Sequence, residues 1–202
     1  HLTIMPLSTP TPRRTLKHIR RVTYQGFERE DGLWDIEGEL HDNKTYDANP
    51  PGRPDRMRPA GQPIHHMHLR VTVDRQLVVQ AIEAVMDAHP LNHCPEAERA
   101  LQKMVGACMA RGWRKAIDTH LGGVASCTHL RELLFNLATA TFQSVQGAFK
   151  PSAAASGAPA EPPRHLGQCL GWDFNGPGVK EFYPQFIGYV RPERPTKPAQ
   201  TA

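Results

Sequence analysis

The chain has 202 residues, 39% of them hydrophobic and 22% charged, which is typical of a globular domain that buries its own core. We expect no membrane span and no export leader, because no apolar run approaches the ~20 residues that cross a bilayer. The net charge of +4 lies largely in basic residues near the two ends. Those ends have no interleaved aromatic residues and no binding motif, which argues against nucleic acid as a partner.

The four cysteines, at positions 94, 108, 127 and 169, form no C-x-x-C pair. In a chain of this size, such spacing is typical of free or metal-bound thiols in a reducing compartment and not of a disulfide framework. We therefore expect a cytoplasmic protein.

The chain begins with a proline-containing segment, residues 1–15, that we expect to be flexible. β-Branched and aromatic residues over 18–29, and again over 33–40, predict two strands. Asp31-Gly32 between them is a hairpin turn signal, so the two strands are expected to pair antiparallel.

The second of these strands is acidic, and alternation places Asp35, Glu37 and Glu39 on one side of it. Charges on a hairpin usually form a solvated face. Here they could instead line a polar cavity or help to bind a metal.

A long loop over 42–63 precedes a strand at 64–73 in which apolar and polar residues alternate. A turn then leads into residues 77–86. These residues are apolar enough for a fourth strand, although their alanines and glutamate are also compatible with a helix. The first half of the chain therefore predicts a mainly antiparallel sheet over 16–87.

The second half predicts three helices that cover this sheet. Apolar residues recur at helical spacing over 96–109, a shorter helix is expected at 113–121, and the longest follows residue 127 and runs to about 146. The buried face of the longest helix is expected to consist of Leu130, Leu133, Leu134, Leu137, Ala138, Thr141 and Val145. The predicted fold class is α+β, in a single domain over 16–147.

The C-terminal part is predicted to lie outside this core. Residues 148–164 have the proline, alanine and serine composition of a linker. The aromatic residues of 165–190 suggest a segment that packs back on the domain. The tail, residues 191–202, is predicted to be disordered.

Cys127 lies at the start of the longest predicted helix. Free N–H groups and the helix dipole at such a position lower the pKa of a thiol and favour the thiolate. His129 and Glu132 fall on the first turn beside it. A thiolate and an imidazole on one rigid helix end form either half of a metal site or a nucleophile–base pair.

Zinc and iron sites need three or four ligands that converge from different elements. Two further groups lie at element ends: His65-His66 at the start of a strand, and Cys94 in the loop before a helix. Alternation puts His65 on one strand face and His66, with His68, on the other, so the three cannot serve together. The expected ligands of a zinc or iron ion are His65 or His66, Cys94 and Cys127, with His129 or Cys169 as the fourth.

The order of these parts resembles the IscU/NifU-type iron–sulfur scaffold proteins over residues 64–146, in topology and with little identity. The resemblance implies a SufE/NifU-like core. In it, Cys94 matches the second ligand cysteine and Cys127 the third, while His65 or His66 stands in the place of the first. It also implies an iron–sulfur cluster as a candidate cofactor.

Nearly the whole chain resembles an uncharacterised family of bacterial proteins that carries the label of a domain of unknown function. The matching segments are residues 29–38, 63–65, 70–74 and 122–130. This resemblance implies a bacterial cytoplasmic origin and supplies no activity.

We interpret the site first as that of a metal-dependent hydrolase or lyase acting on a small carbonyl or acyl metabolite. The metal would acidify water or polarise the carbonyl, with Glu132, Asp35 or Glu37 moving protons. A non-catalytic iron–sulfur or zinc carrier is the first alternative. The second needs no metal: Cys127 acts as nucleophile and His129 as base in acyl or thioester chemistry. Whether the chain forms a homo-oligomer stays open.

Overall fold

The computed structural model describes residues 7–8, 10–49, 54–145 and 161–192. The chain divides into two compact units, His1–Phe149 and Lys150–Ala202. Most of the predicted linker at 148–164 lies outside the described residues, as does most of the predicted tail at 191–202. Part of the predicted flexible N-terminus at 1–15 also lies outside them.

The first unit contains a four-stranded sheet in which every neighbouring pair is antiparallel. Its strands follow one another in chain order, which confirms the predicted sheet and the strand interpretation of its last segment. A 3₁₀ turn, Pro54–Arg56, lies in the loop before the third strand. The strands are β1 (His18–Glu28), β2 (Trp34–Lys44), β3 (Pro63–Val73) and β4 (Val79–Ala88).

Side-chain alternation gives the sheet an apolar inner face and a polar outer face. On β2, for example, Ile36 and Leu40 are buried, while the intervening Glu37 and Glu39 are only partly covered. The main residues of the inner face are Trp34, Ile36, Leu40, Met67, Leu69, Val71, Val73, Ile82 and Met86.

Two helices, α1 (Trp113–Leu121) and α2 (Thr128–Val145), belong to the layer on the inner face, with a 3₁₀ turn at Gly123–Ala125 between them. The buried face of α2 consists of the seven predicted residues, from Leu130 to Val145. The Tyr24 hydroxyl on β1 donates to the carbonyl of Leu133 at 3.1 Å, which ties this helix to the sheet.

The predicted helix over 96–109 differs from the observed structure, which is a 3₁₀ segment at Cys94–Met104 packed against β4. The segment ends where the backbone of Val105 becomes extended, and Gly106 then adopts a positive φ of 86°, a conformation that favours glycine. Beyond it the chain pairs with the start of β4: the N–H of Gly106 donates to the carbonyl of Val79, and the N–H of Val79 donates to that of Ala107. Backbone pairing with a strand edge therefore replaces the last turn of the predicted helix.

The second unit has a small aromatic core of its own. Its buried residues are Leu166, Phe174, Val179 and Phe186. Over 161–192, the described part of this unit, the elements are two 3₁₀ turns, Leu170–Trp172 and Pro184–Phe186, and one short helix, α3 (Pro177–Phe182). The predicted packing of residues 165–190 back onto the sheet domain stays a prediction.

The buried face of α2 makes a prediction about stability. Leu133 is only 1% exposed, so Leu133→Ala should lower the free energy of unfolding by about 2–5 kcal/mol through lost burial and a residual cavity. Val124→Ala is the matched control, because Val124 is fully exposed and its truncation should cost under about 0.5 kcal/mol. Urea unfolding of both variants measures the difference, and equal losses would contradict the assigned helix face.

Candidate metal centre

Two groups of histidine and carboxylate side chains lie on opposite faces of the sheet. Asp42, His65 and His129 form the inner group, on the face covered by α2, and their donor atoms all lie within 4.8 Å of one another. The outer group, on the polar face, satisfies the same distance and consists of Glu39, His66 and His68. The predicted separation of His65 from His66 by strand alternation is therefore observed.

The inner group is built on Asp42, a carboxylate that is only 2% exposed. Its Oδ1 accepts a hydrogen bond from the backbone N–H of His65 at 3.2 Å and lies 3.0 Å from Nδ1 of the His65 ring. Its Oδ2 accepts hydrogen bonds from Nε and Nη2 of Arg20, at 3.1 and 2.6 Å. Each carboxylate oxygen of Asp42 is thus held by a different strand.

Strand register explains why these partners meet. Arg20 on β1 and His65 on β3 each stand directly opposite Asp42 on β2, so all three side chains project from the same face. The guanidinium of Arg20 also reaches α2, where Nη1 donates to Oε2 of Glu132, the fifth residue of the helix, at 3.0 Å. A single network therefore joins three strands to the start of that helix.

The charges of this network fix the ionisation of Asp42. Burial alone raises the pKa of this carboxyl, but the hydrogen bonds from Arg20 and His65 outweigh burial and bring the pKa to about 2. Asp42 is therefore an anion at neutral pH, able either to bind a cation or to hold the His65 ring in one orientation.

His129 on α2 completes the inner group and links it to the thiol. The rings of His65 and His129 stack with their centroids 3.9 Å apart and their planes inclined by 37°. Nδ1 of His129 lies 3.8 Å from Sγ of Cys127. Asp42, His65, His129 and Cys127 therefore form a continuous chain of contacts.

Cys127 immediately precedes the first residue of α2, as the sequence predicts for a thiol at a helix N-terminus. Burial raises the pKa of this thiol, but the hydrogen bond with His129 and the backbone N–H groups of Leu130 and His129 outweigh burial. On balance the pKa of Cys127 is lowered from its ordinary value, so its thiol ionises more readily than that of a free cysteine.

The other predicted site residues lie elsewhere. Cys94 is half-buried against the main core and Cys169 is exposed in the second unit, and neither belongs to the two donor groups found among the described residues. Asp35 and Glu37 lie on the outer face. There Asp35 accepts a hydrogen bond from the Thr72 hydroxyl at 2.6 Å, and Glu37 accepts one from Nε of Arg70 at 2.8 Å.

Sequence reasoning missed Asp42 as a site residue and Arg20 as its partner. A signal was present, because Asp42 lies two residues after Leu40 and so continues the apolar face of β2. A carboxylate in such a position requires a buried partner. Which residue supplies it depends on strand register, which spacing along the chain does not reveal.

Comparison with known proteins assigns the chain to a family. Residues 18–143, which include the whole inner group, match the model of a family described as protein of unknown function (DUF2889). The chain belongs to this family. No curated protein and no solved structure matches the chain.

Among the described residues, no helix is long and apolar enough to span a lipid bilayer.

The Asp42 network predicts a loss of stability on neutralising the carboxylate. Asp42→Asn should lower the free energy of unfolding by about 2–3 kcal/mol at neutral pH, because buried hydrogen bonds to a charged group are lost. Asp118→Asn is the control, since that exposed carboxylate makes a surface ion pair with Arg131, worth under about 1 kcal/mol. Urea unfolding measures both.

The difference in free energy of unfolding between the wild type and Asp42→Asn should depend on pH. The pKa of Asp42 is lowered to about 2 in the folded state, against about 3.9 when unfolded. Its contribution is therefore complete above the unfolded value and is lost as the pH falls through the folded value. The stability difference between wild type and Asp42→Asn should shrink over that range, and a difference that stays constant to about pH 2 would contradict the assigned anion.

Proposed function

We propose that this protein binds a zinc or iron ion at the inner group and uses it as a metal-dependent hydrolase or lyase on a small carbonyl or acyl metabolite. The observation that carries the proposal is the convergence of Asp42, His65 and His129, whose donor atoms lie within 4.8 Å of one another. These donors come from β2, β3 and α2, which is the convergence from separate elements that a metal site requires.

The donor chemistry supports zinc or iron. Imidazole nitrogens combined with a carboxylate suit both ions. Because Nδ1 of His65 lies 3.0 Å from Asp42, Asp42 also fits the orienting carboxylate that metal-bound histidines commonly have behind them. In that arrangement, Cys127 is the candidate for a further ligand, since its sulfur lies 3.8 Å from the His129 ring.

A centre with three protein ligands leaves a coordination position for water or for a carbonyl oxygen. When bound there, the metal supplies the Lewis acidity that acidifies water or polarises a carbonyl. We assign the proton transfer to Glu132, because it lies one turn beyond His129 on α2 and is about half exposed. Arg20, which contacts both Glu132 and Asp42, holds the two carboxylates in place.

Metal binding at the inner group can be tested directly. The double variant His65→Gln/His129→Gln should bind one equivalent less Zn²⁺ than the wild type in a calorimetric titration of metal-free protein. His120→Gln is the control, because His120 is exposed on α1 and should leave the stoichiometry unchanged. Equal stoichiometry in the wild type and the double variant would sink the proposal. Iron together with acid-labile sulfide in the purified protein would instead favour the iron–sulfur carrier.

A metal-free cysteine enzyme is the second candidate. It is supported by the contact between the Cys127 sulfur and His129, by the lowered pKa of that thiol and by its place at a helix start. In this candidate His129 acts as the base, and His65 with Asp42 supports its ring from behind. The chemistry would be acyl or thioester transfer through an enzyme-bound thioester.

Alkylation separates the two candidates. If Cys127 is a ligand of the bound metal, it should react slowly with iodoacetamide until a chelator removes the ion, and faster afterwards, because coordination shields the thiolate. Mass spectrometry of the labelled peptide measures the rate, with the exposed Cys169 as an internal control. Fast labelling that is equal with and without chelator would favour the nucleophile.

A further inference from the structure

The outer face of the sheet carries a second concentration of metal-binding side chains. Glu39, His66 and His68 each offer a donor atom, and the three atoms lie within 4.8 Å of one another. Asp87 on β4 adds a carboxylate to the same cluster. These four residues are called the outer cluster below, and none of them takes part in the inner network around Asp42.

The distances within the outer cluster are short. Nε2 of His66 lies 2.8 Å from Oε1 of Glu39, and Nε2 of His68 lies 3.2 Å from Oδ2 of Asp87. The same Asp87 oxygen lies 3.8 Å from Nδ1 of His66, and the rings of His66 and His68 have centroids 4.7 Å apart. The two imidazoles therefore lie between two carboxylates.

Strand geometry brings these residues together. Glu39 stands directly opposite His68 in the ladder of β2 and β3, and His66 lies two residues before His68 on the same face. The register between β3 and β4 shifts between His66 and Met67, next to the point where Asp87 contacts both histidines. Bulges of this kind commonly re-aim a side chain at a functional site.

We propose that the outer cluster is a second binding site for a divalent transition-metal ion, with zinc as the reference ion. Two imidazoles and one carboxylate supply three ligands of the kind that zinc accepts, and Asp87 supplies either the fourth ligand or an acceptor for Nδ1–H of His66. Side-chain exposures of 26% for His66 and 46% for His68 show that both rings are partly exposed to solvent, from which an ion would enter.

The surroundings of the outer cluster are consistent with a site that is open to a further ligand. A groove of about 480 Å³ runs beside it over the outer face, lined by Glu39, His68 and Asp87 together with Arg70. Arg70 is held between Glu37 and Glu83.

A buried nitrogen lies next to the outer cluster. Nδ1 of His41, whose ring packs edge-on against His66, is shielded from solvent and has no hydrogen-bond partner among the described residues. A buried nitrogen without a partner is uncommon unless a water or ligand completes the site.

A pair of variants tests the proposal in the 202-residue chain. His66→Gln/His68→Gln removes both imidazoles of the outer cluster, whereas His65→Gln/His129→Gln removes those of the inner group. Metal-free wild type and variants are titrated with Zn²⁺ by calorimetry, after far-UV circular dichroism and thermal melting confirm that each is folded. His93→Gln is the matched control, since that histidine is 87% exposed and forms an ion pair with Glu96.

The wild type should bind one more equivalent of Zn²⁺ than His66→Gln/His68→Gln, and His93→Gln should match the wild type. The variant Asp87→Asn keeps both imidazoles, so loss of a histidine cannot disturb its folding. It should weaken Zn²⁺ binding at the outer cluster about 10–100-fold. Unchanged stoichiometry in His66→Gln/His68→Gln overturns the proposal. So does an equal loss in His93→Gln, which would mean unspecific histidine binding. The inner variant reports separately on the proposed function: if it alone keeps the wild-type stoichiometry, the inner site fails and the outer site stands.

Discussion

The buried carboxylate of Asp42 is the constraint on which the arrangement of the inner site depends. An anion on the core-facing side of a sheet is costly unless it is paired and hydrogen-bonded. Arg20 and the backbone and ring of His65 meet that requirement, each from a strand on either side. Because Arg20 also holds Glu132, the same charge compensation fixes the start of α2 relative to the sheet. The positions of His65, His129 and Cys127 therefore depend on the network that compensates the charge of Asp42.

Because successive side chains of a β-strand point to opposite faces, the neighbouring histidines of β3 lie in two different environments. His65 faces α2 and the core, where it meets a buried anion and a second imidazole. His66 faces the open side of the sheet, where it meets solvent-exposed carboxylates. The sheet itself separates the two groups, so a change on one face need not disturb the other. Two groups of donor side chains that use neighbouring residues thus differ in exposure and in the residues around them.

The parts of the fold that were predictable from the sequence are those encoded by local periodicity. The seven residues from Leu130 to Val145 repeat with helical spacing and form the buried face of α2, and the alternation over β3 separates His65 from His66. The partners of Asp42 were not predictable, because they depend on which residues stand opposite one another across strands. The end of the 3₁₀ segment at Met104 was missed for a similar reason. There, backbone pairing with Val79 overrides the helical pattern.

The metal and thiol interpretations of the inner site compete for the same imidazole. Nδ1 of His129 faces the sulfur of Cys127, so a metal bound through Nε2 would leave Nδ1 to hydrogen-bond the thiolate. The cysteine would then support the metal ligand and would not act as a nucleophile. A metal bound through Nδ1 would draw Cys127 into the coordination shell and neutralise its charge. In the first case the thiolate is hydrogen-bonded but not coordinated, and in the second case it is a ligand of the metal. The ring nitrogen of His129 that binds the metal therefore decides what Cys127 does, and the two chemistries are alternatives at one site.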